Sequence, residues 1–244
     1  MGRYSYAYPL GVVSCLEKRL APSKVFFDIL SYNLERLLSE IKPYFFQGLT
    51  FYQSIEEFEV FLEREEKVLN ILIREWIKEA LFKSFLDFFK YQPVKETQLK
   101  SFPYLLNLFK LRIDLYNIIF SLRAGYLNKN FSPHFFGFLS KEEIKDLLNE
   151  DKTLKVRKPE YFPFFYSARS FLKDDVYFLL DFLPFGFLRK RLEGAKKIIL
   201  GPERIFYFYF LKRLQDKIMK VIVSSKLYNL EEERVKKILE VVYG

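Results

Sequence analysis

Residues 108–122 read LFKLRIDLYNIIFSL and carry the clearest structural signal in the chain. Apolar residues recur there at alternating spacings of three and four, which places five side chains on one stripe of an α-helix. These residues are Leu108, Leu111, Leu115, Ile118 and Leu122. Because such a stripe must be covered, the stretch predicts a helix that packs against other helices.

Three further helix starts are marked by a polar N-cap residue three positions before a glutamate. In such a capping box the N-cap side chain accepts an amide of the first turn, and the carboxylate reaches back. The pairs are Ser54 with Glu57, Ser140 with Glu143 and Asn229 with Glu232. From Ser54 the helical pattern runs to about residue 91, so the sequence predicts one unusually long helix, ended by Pro93.

Most of the remaining chain also has helical periodicity. Residues 9–20 and 22–41 each indicate a helix, with Pro22 suited to a first-turn position. Residues 206–210, FYFYF, have the composition of a buried strand. They run without a break into a helical pattern, so we predict one helix from about Pro202, with a strand as the alternative.

The tetrapeptide FGFL occurs twice, at residues 136–139 and 185–188. We expect a helix to begin directly after the glycine and its aromatic neighbours in both copies, a pattern typical of internal repeats. Chance is the alternative in a chain this rich in phenylalanine.

Residues 152–163 are the best candidate for irregular structure. The sequence has no stretch rich in glycine and serine, or in proline, that would indicate a linker between domains. The sequence therefore predicts an all-α fold of stacked helical modules in a single domain, residues 1–244.

The cysteine content and the hydropathy of the sequence indicate a cellular compartment. The chain has one cysteine, Cys15, which cannot form an intramolecular disulfide, and the first residues lack the pattern of a secretion signal. The most apolar runs are interrupted, for example by Asp181 and Pro184. We therefore expect a cytoplasmic protein without a membrane-spanning helix.

The chain is basic, with a formal net charge of +9. Residues 186–204 contain six basic residues and two glutamates. A run of this kind is typical of a solvated helix surface, and it also suits a surface that binds nucleic acid or an anionic membrane.

Catalytic and cofactor motifs are missing from the sequence. His134 is the only histidine, which leaves no set of histidine or cysteine ligands for zinc. The glycines are too scattered for a phosphate loop or a dinucleotide fingerprint. A Cys15–His134 pair remains formally available, but the apolar neighbours of Cys15 indicate a small buried side chain. We predict no catalytic, cofactor-binding or metal-ligating residue, no cofactor and no enzymatic activity.

Two other patterns have structural interpretations. Asp174 with Asp175, and the glutamates at 231–233, are typical of helix starts, where the helix dipole favours acidic residues. Aromatic residues interleaved with basic ones are found in proteins that bind single-stranded nucleic acid. Because these rings follow core periodicity, we interpret them as a packed core and expect no nucleic-acid partner.

Residues 114–148, DLYNIIFSLRAGYLNKNFSPHFFGFLSKEEIKDLL, resemble the C/d-subunit family of the A- and V-type rotary ATPases. The family pattern of an Asp, an Asn and an Arg in one helix is matched by Asp114, Asn117 and Arg123. The family then has two glycines, an aromatic residue and a leucine before an acidic helix. FGFLSKEEIKDLL is similar to this, with Phe136 in place of the first glycine. Independently of the family, Asp114 and Asn117 lie one helical turn apart and indicate a structural polar cluster.

The two ends of the chain are similar to the family in outline. Tyr4, Tyr6 and Ala7 match its opening helix, and residues 211–243 resemble its closing pair of helices. The closing segment departs from the pattern, since it has Gln215, Asp216 and Lys220 where the family has a glutamate and an arginine. The chain is also shorter than usual members.

The resemblance implies three helical modules arranged as a funnel, with FGFL at corresponding helix starts. It implies a non-catalytic central rotor adaptor that links the central stalk subunits to the membrane ring of proteolipid subunits. Such an adaptor is peripheral, on the cytoplasmic side of the membrane, in a complex that couples ATP to ion transport. The alternative from composition is a basic helical module that binds nucleic acid or an anionic membrane surface.

Overall fold

A computed structural model describes residues 6–49, 52–90, 92, 96–127, 129, 132–133, 136–198 and 201–244. The structure is 80% helical and its described residues contain no strand, which confirms the all-α prediction. Contacts group the chain into two compact units, residues 1–82 with 193–244 and residues 83–192. A single domain over residues 1–244 with three modules stays a prediction.

The α-helices follow one another along the chain as α1 (Ala7–Leu16), α2 (Ser23–Asp28), α3 (Leu34–Ile41), α4 (Ile55–Trp76), α5 (Glu79–Phe89), α6 (Glu96–Leu99), α7 (Pro103–Tyr126), α8 (Lys141–Leu148), α9 (Lys152–Arg157), α10 (Phe162–Lys173), α11 (Leu183–Leu192), α12 (Pro202–Leu227) and α13 (Glu232–Tyr243). Short 3₁₀ turns lie at Glu17–Arg19, Ile29–Ser31, Lys42–Tyr44, Pro159–Tyr161, Tyr177–Asp181 and Glu193–Lys197. Within the described ranges, no helix combines the length and the hydropathy needed to cross a membrane.

Helix α12 is the centre of the first unit. It contacts α1, α3, α4 and α13, and α13 also contacts α2. The FYFYF segment lies inside α12, where Phe206, Phe208, Tyr209 and Phe210 are fully buried. The prediction of one helix from about Pro202 is confirmed, because a helix surrounded by neighbours can bury aromatic side chains in several directions.

Helix α7 has the corresponding position in the second unit, with α6, α8, α10 and α11 against it. The stripe members Leu108, Leu115 and Ile118 are buried, whereas Leu111 and Leu122 are half-buried. Burial also extends beyond the stripe, to the polar residues Arg112, Asp114 and Asn117. The central part of α7 is therefore enclosed on more sides than the leucine pattern alone indicates.

The long helix predicted from Ser54 to about residue 91 is wrong, because it is divided at Ile77. This residue is extended, with φ −131° and ψ 158°, and its side chain is buried. The Arg74 guanidinium bridges the interruption with hydrogen bonds of 2.9 and 3.1 Å to the Glu79 carboxylate. A β-branched residue adopts the extended conformation readily, and the Ile77 side chain is buried in this conformation.

The helix predicted over residues 22–41 is also divided, into α2 and α3. Pro22 occupies the N-cap position of α2, one residue before the predicted first turn. The second part begins where the Asn33 side chain accepts a 2.9 Å hydrogen bond from the Arg36 amide. Asparagine at an N-cap starts a new helix effectively, and this interrupts the apolar pattern.

Of the three predicted capping boxes, the one at Ser140 is complete. Its hydroxyl accepts the Glu143 amide at 3.1 Å, and the Glu143 carboxylate accepts the Ser140 amide at 2.8 Å. The Ser54 hydroxyl accepts the Glu57 amide at 3.3 Å, but the carboxylate of Glu57 accepts from Gln53. Both serine starts are confirmed.

The predicted starts at Asn229 and at Asp174 with Asp175 are wrong, because these residues end helices. Glu150, Asp175 and Asn229 have φ values between 51° and 58° and lie just beyond the last residues of α8, α10 and α12. After each, the next amide donates to a carbonyl five residues back, at 2.9 to 3.0 Å. This left-handed C-terminal cap tolerates asparagine and aspartate. The glutamates at 231–233 do lie at a helix start, that of α13.

The two FGFL copies have different structures. Residues 136–139 form a turn before α8, whereas residues 185–188 lie inside α11. Our expectation of a helix start after the second copy is therefore wrong, since Pro184 already occupies the first turn of α11, where proline is tolerated.

Residues 152–163 are not irregular as predicted. They form α9, a 3₁₀ turn and the beginning of α10. The Asp151 carboxylate starts α9 by accepting the amides of Thr153 and Leu154 at 2.6 and 3.2 Å. The aspartate cap therefore starts a helix in a segment whose apolar pattern is too weak to predict one.

Candidate functional site

Asp114, in the middle of α7, is fully buried and accepts hydrogen bonds from two other segments. Its Oδ1 accepts the Leu139 amide at 3.1 Å. Its Oδ2 accepts the Phe138 amide at 2.9 Å and the Tyr161 hydroxyl at 2.6 Å. One carboxylate therefore fixes both the turn before α8 and the 3₁₀ turn before α10.

Gly137 is required by the closeness of this contact. A Cβ atom at position 137 would overlap Asp114 Oδ1, whose side chain is held by its hydrogen bonds. The glycine of the first FGFL copy thus lets the turn backbone reach the carboxylate.

We expect Gly137→Ala to lower the free energy of unfolding by about 2 kcal/mol, because the added methyl group displaces the carboxylate or the turn. Chemical denaturation of the purified variant measures this. Gly125→Ala is the matched control, since a Cβ there meets nothing within 4 Å, and alanine favours the helix by roughly 0.5–1 kcal/mol. Equal destabilisation by both substitutions would contradict the role of Gly137.

Burial and hydrogen bonding act in opposite directions on Asp114. Burial raises the pKa of its carboxyl group, while Tyr161, the two amides and the charge of Lys158 oppose this increase. Burial and the neighbouring Asp114 charge raise the pKa of Tyr161, so its hydroxyl stays protonated and donates. Because an acid–base role requires contact with a reacting group, this enclosed carboxylate is suited to holding loops in place.

The other residues of the family-like pattern are not brought together with Asp114. Asn117 is buried one turn further along α7. Arg123, near the end of the helix, forms a 2.9 Å ion pair with Asp181. Arg112 is buried with its guanidinium carbon 4.2 Å from the Phe88 ring centroid, a distance suited to a cation–π interaction.

The first unit contains a second buried polar cluster, around Lys212 of α12. Its Nζ donates to Asp216 Oδ1 at 2.9 Å and to the Tyr44 carbonyl at 3.0 Å. It also lies 3.7 Å from Glu65 Oε2 and 4.5 Å from the Phe45 ring centroid. A buried lysine thus has two carboxylates, a carbonyl and an aromatic ring as partners.

Glu65 of α4 repeats the chemistry of Asp114. Its carboxylate accepts the Phe46 amide at 2.8 Å and the Gln47 amide at 2.6 Å. The order along the chain differs, because the anchored loop precedes α4 in the first unit and follows α7 in the second. The two anchors are alike in chemistry, but the chain order is not that of a repeated module.

Our sequence reasoning missed this cluster and noted Gln215 and Asp216 only as departures from a family pattern. Gln215 donates to the Tyr44 carbonyl at 3.0 Å and accepts the Ala21 amide at 2.8 Å. A signal was present, because Glu65 lies four residues from both Phe61 and Leu69, on the apolar stripe of α4. A charged residue at such a position indicates a buried partner.

The burial of Cys15, the one cysteine considered as a nucleophile, differs from the prediction. Cys15 is exposed, so its prediction as a small buried side chain is wrong; α1 turns that side away from the first unit's core. His134, the second member of the formal pair, lies outside the described residues. Across the described ranges no group of three or more His, Cys, Asp or Glu side chains is placed to hold a metal ion.

The basic run over residues 186–204 has mixed surroundings. Arg204 forms a 3.0 Å ion pair with Glu17, whereas Lys190, Arg191, Lys196 and Lys197 are exposed. At the N-terminal end of the family-like pattern, Tyr6 is buried and Ala7 begins α1, and Tyr4 lies outside the described residues.

The family-like residues thus form one defined structural contact, between Asp114 and the turn at residues 137–139. The buried cluster around Lys212 anchors the other unit in a similar way. Compared with known proteins, the chain matches no family profile, no curated protein and no solved structure.

Proposed function

We propose that this protein is a non-catalytic helical adaptor, the central rotor component that links the stalk of an A/V-type rotary ATPase to its membrane ring. The observation that carries the proposal is the contact between Asp114 and the FGFL turn. Asp114 and Phe138 lie 24 residues apart in sequence. Both belong to the pattern that resembles the C/d-subunit family, and they meet through a hydrogen bond that gives the pattern a physical reason.

Mechanical stiffness supports the same proposal. An adaptor that transmits torque needs a body that does not deform, and close-packed interiors have low compressibility. Each unit has a long central helix, α7 or α12, whose buried polar residues fix neighbouring loops. Hydrogen bonds in which the donor or the acceptor is charged are stronger than neutral ones, and this favours loops that stay in place.

In this proposal the ATP-binding and ion-translocating steps belong to other subunits. The protein lies peripherally at the cytoplasmic face of the membrane, between stalk subunits and the proteolipid ring. Its net charge of +9 favours acidic protein partners and an anionic membrane surface.

The exposed side chains of Lys190, Arg191, Lys196 and Lys197 favour a second candidate, a basic module that binds nucleic acid or anionic lipid. Binding of this kind weakens steeply with salt, because each neutralised phosphate releases counterions. A specific adaptor complex does not require such a steep dependence.

Affinity purification of the tagged full chain from gently solubilised membranes of its own cells tests the proposal. We expect stalk subunits and a small, very hydrophobic ring protein among the co-purified chains identified by mass spectrometry. Cells that express the tag alone provide the control, and a parallel sample treated with nuclease shows whether nucleic acid bridges any co-purified chain. Recovery of nucleic acid or lipid without these subunits would overturn the adaptor proposal and favour the basic module.

A further inference from the structure

A surface groove runs along the C-terminal part of α7 in the second unit. It consists of two adjoining cavities, of 220 and 360 Å³, which share Ser121, Gly125 and Leu148 as lining residues. Helix α8 completes the first cavity and α10 completes the second. We call these cavities together the α7 groove.

The charged residues that line the α7 groove are all basic among those that the structure describes. They are Lys129, Lys141, Lys145, Arg169 and Lys173. On α8, the basic residues lie on the same side as Ile144 and Leu148, whereas Glu142 and Asp146 do not line the groove. Arg169 also forms an ion pair with Glu150. The groove therefore has a positive rim that an acidic partner would complement.

The α7 side of the groove is made of small residues, Ser121, Ala124 and Gly125. A Cβ at Gly125 would meet nothing within 4 Å, so no described part of the chain fills this space. The apolar part is formed by Leu122, Leu148 and Leu172. Small residues beside leucines allow another helix to approach closely and bury an apolar face.

We propose that the α7 groove binds an acidic amphipathic helix of a partner protein. The apolar face of that helix would cover the half-buried Leu122 and Leu148, as in other helix-in-groove complexes. Its carboxylates would pair with the lysines of the rim. The groove is concave, whereas a protein lies on a membrane through an apolar face that inserts into the lipid. An acidic amphipathic helix from any protein would fit, so the inference does not depend on the rotor-adaptor proposal.

Site-specific photo-cross-linking in the full chain tests this inference. A benzophenone amino acid replaces Tyr126, which lines the groove and is 56% exposed. Ile71, 59% exposed on α4 of the first unit, is the control position. Each variant is expressed in the protein's own cells, which are then irradiated. We expect the photoreactive group at position 126 to capture one peptide that has net negative charge and apolar residues at helical spacing. The group at position 71 should not capture it.

Charge reversal then tests the rim. The variant Lys141→Glu/Lys145→Glu/Lys173→Glu is compared with Lys24→Glu/Lys236→Glu/Lys237→Glu, whose positions are exposed in the first unit. We expect the affinity for a synthetic peptide of the captured sequence to fall about tenfold or more in the groove variant alone, since loss of each exposed pair weakens binding by up to about fivefold. Circular dichroism verifies that both variants fold.

Capture of a neutral or basic peptide, of lipid only, or of nothing at Tyr126 would overturn the inference. So would an equal loss of affinity in the two charge-reversal variants, because it would show a general effect of net charge. Whether the captured peptide belongs to a rotary ATPase bears only on the adaptor proposal.

Discussion

Asp114→Ala is expected to lower the free energy of unfolding of the second unit by about 3–5 kcal/mol. The substitution leaves the amides of Phe138 and Leu139 and the hydroxyl of Tyr161 without their acceptor. Each buried donor left unsatisfied costs about 1–3 kcal/mol, and the loop relaxes to recover part of this. Native-state hydrogen exchange measures the change directly, since the two amides should lose their protection.

Asp146→Ala is the matched control for this experiment, because Asp146 is an exposed aspartate of the same unit. Surface substitutions of this kind usually stay within about 0.5 kcal/mol. Unchanged exchange at Phe138 and Leu139 in the Asp114→Ala protein would contradict the anchor.

The effect of Asp114 should also depend on pH. Burial raises the pKa of its carboxyl group in the folded state above 3.8, so the folded protein holds this proton more tightly than the unfolded chain does. Its contribution to stability is therefore fully present below the unfolded pKa and decreases as the pH rises through the folded pKa. Accordingly, the difference in the free energy of unfolding between wild type and Asp114→Ala should be larger on the acid side of this pH range.

Lys212→Met should destabilise the first unit by about 3–5 kcal/mol, the usual cost of removing one partner from a buried ionic cluster. Methionine keeps the apolar stem but leaves Glu65 and Asp216 without the ammonium group. Urea denaturation of the purified variant measures the loss through the shift of the transition midpoint.

Lys220→Met, on the same helix, is the control for Lys212. Lys220 is half-exposed and pairs with Glu59, so its replacement should cost at most about 1 kcal/mol. A second variant, Lys212→Met with Asp216→Leu, should recover part of the loss, since it removes one of the stranded charges. Similar stability of Lys212→Met and Lys220→Met would contradict a buried ionic cluster.

Local signals in the sequence predicted helix α12 and two helix starts correctly, but not the breaks inside the helices predicted over residues 22–41 and 54–91. Helix α12 and the serine caps at Ser54 and Ser140 are confirmed, because periodicity and capping depend on residues within a few positions of one another. Asn229 shows where local reasoning fails. Asparagine is favoured both at N-caps and in left-handed C-terminal caps, so its position next to α12 decides between the two.

Tertiary contacts explain the remaining differences. The break at Ile77 coincides with burial of its side chain, and the residue types next to it do not signal a helix end. The Lys212 contact with Tyr44 spans 168 residues, and sequence spacing carries no information about it. Asp114 was recognised through a family-like pattern, but its partners, the amides of the FGFL turn, are backbone groups that a sequence motif does not identify.

The two carboxylate anchors restrict the chain in an unusual way. Asp114 and Glu65 hold their loops through backbone amides, at Phe46, Gln47, Phe138 and Leu139. Every residue type except proline supplies such a donor. Exposed loop residues such as Phe138 are thus open to mutational drift, while the acid on the helix is not. Apart from Gly137, whose missing side chain admits Asp114, the residues of these loops can change over evolution while the loops stay in position.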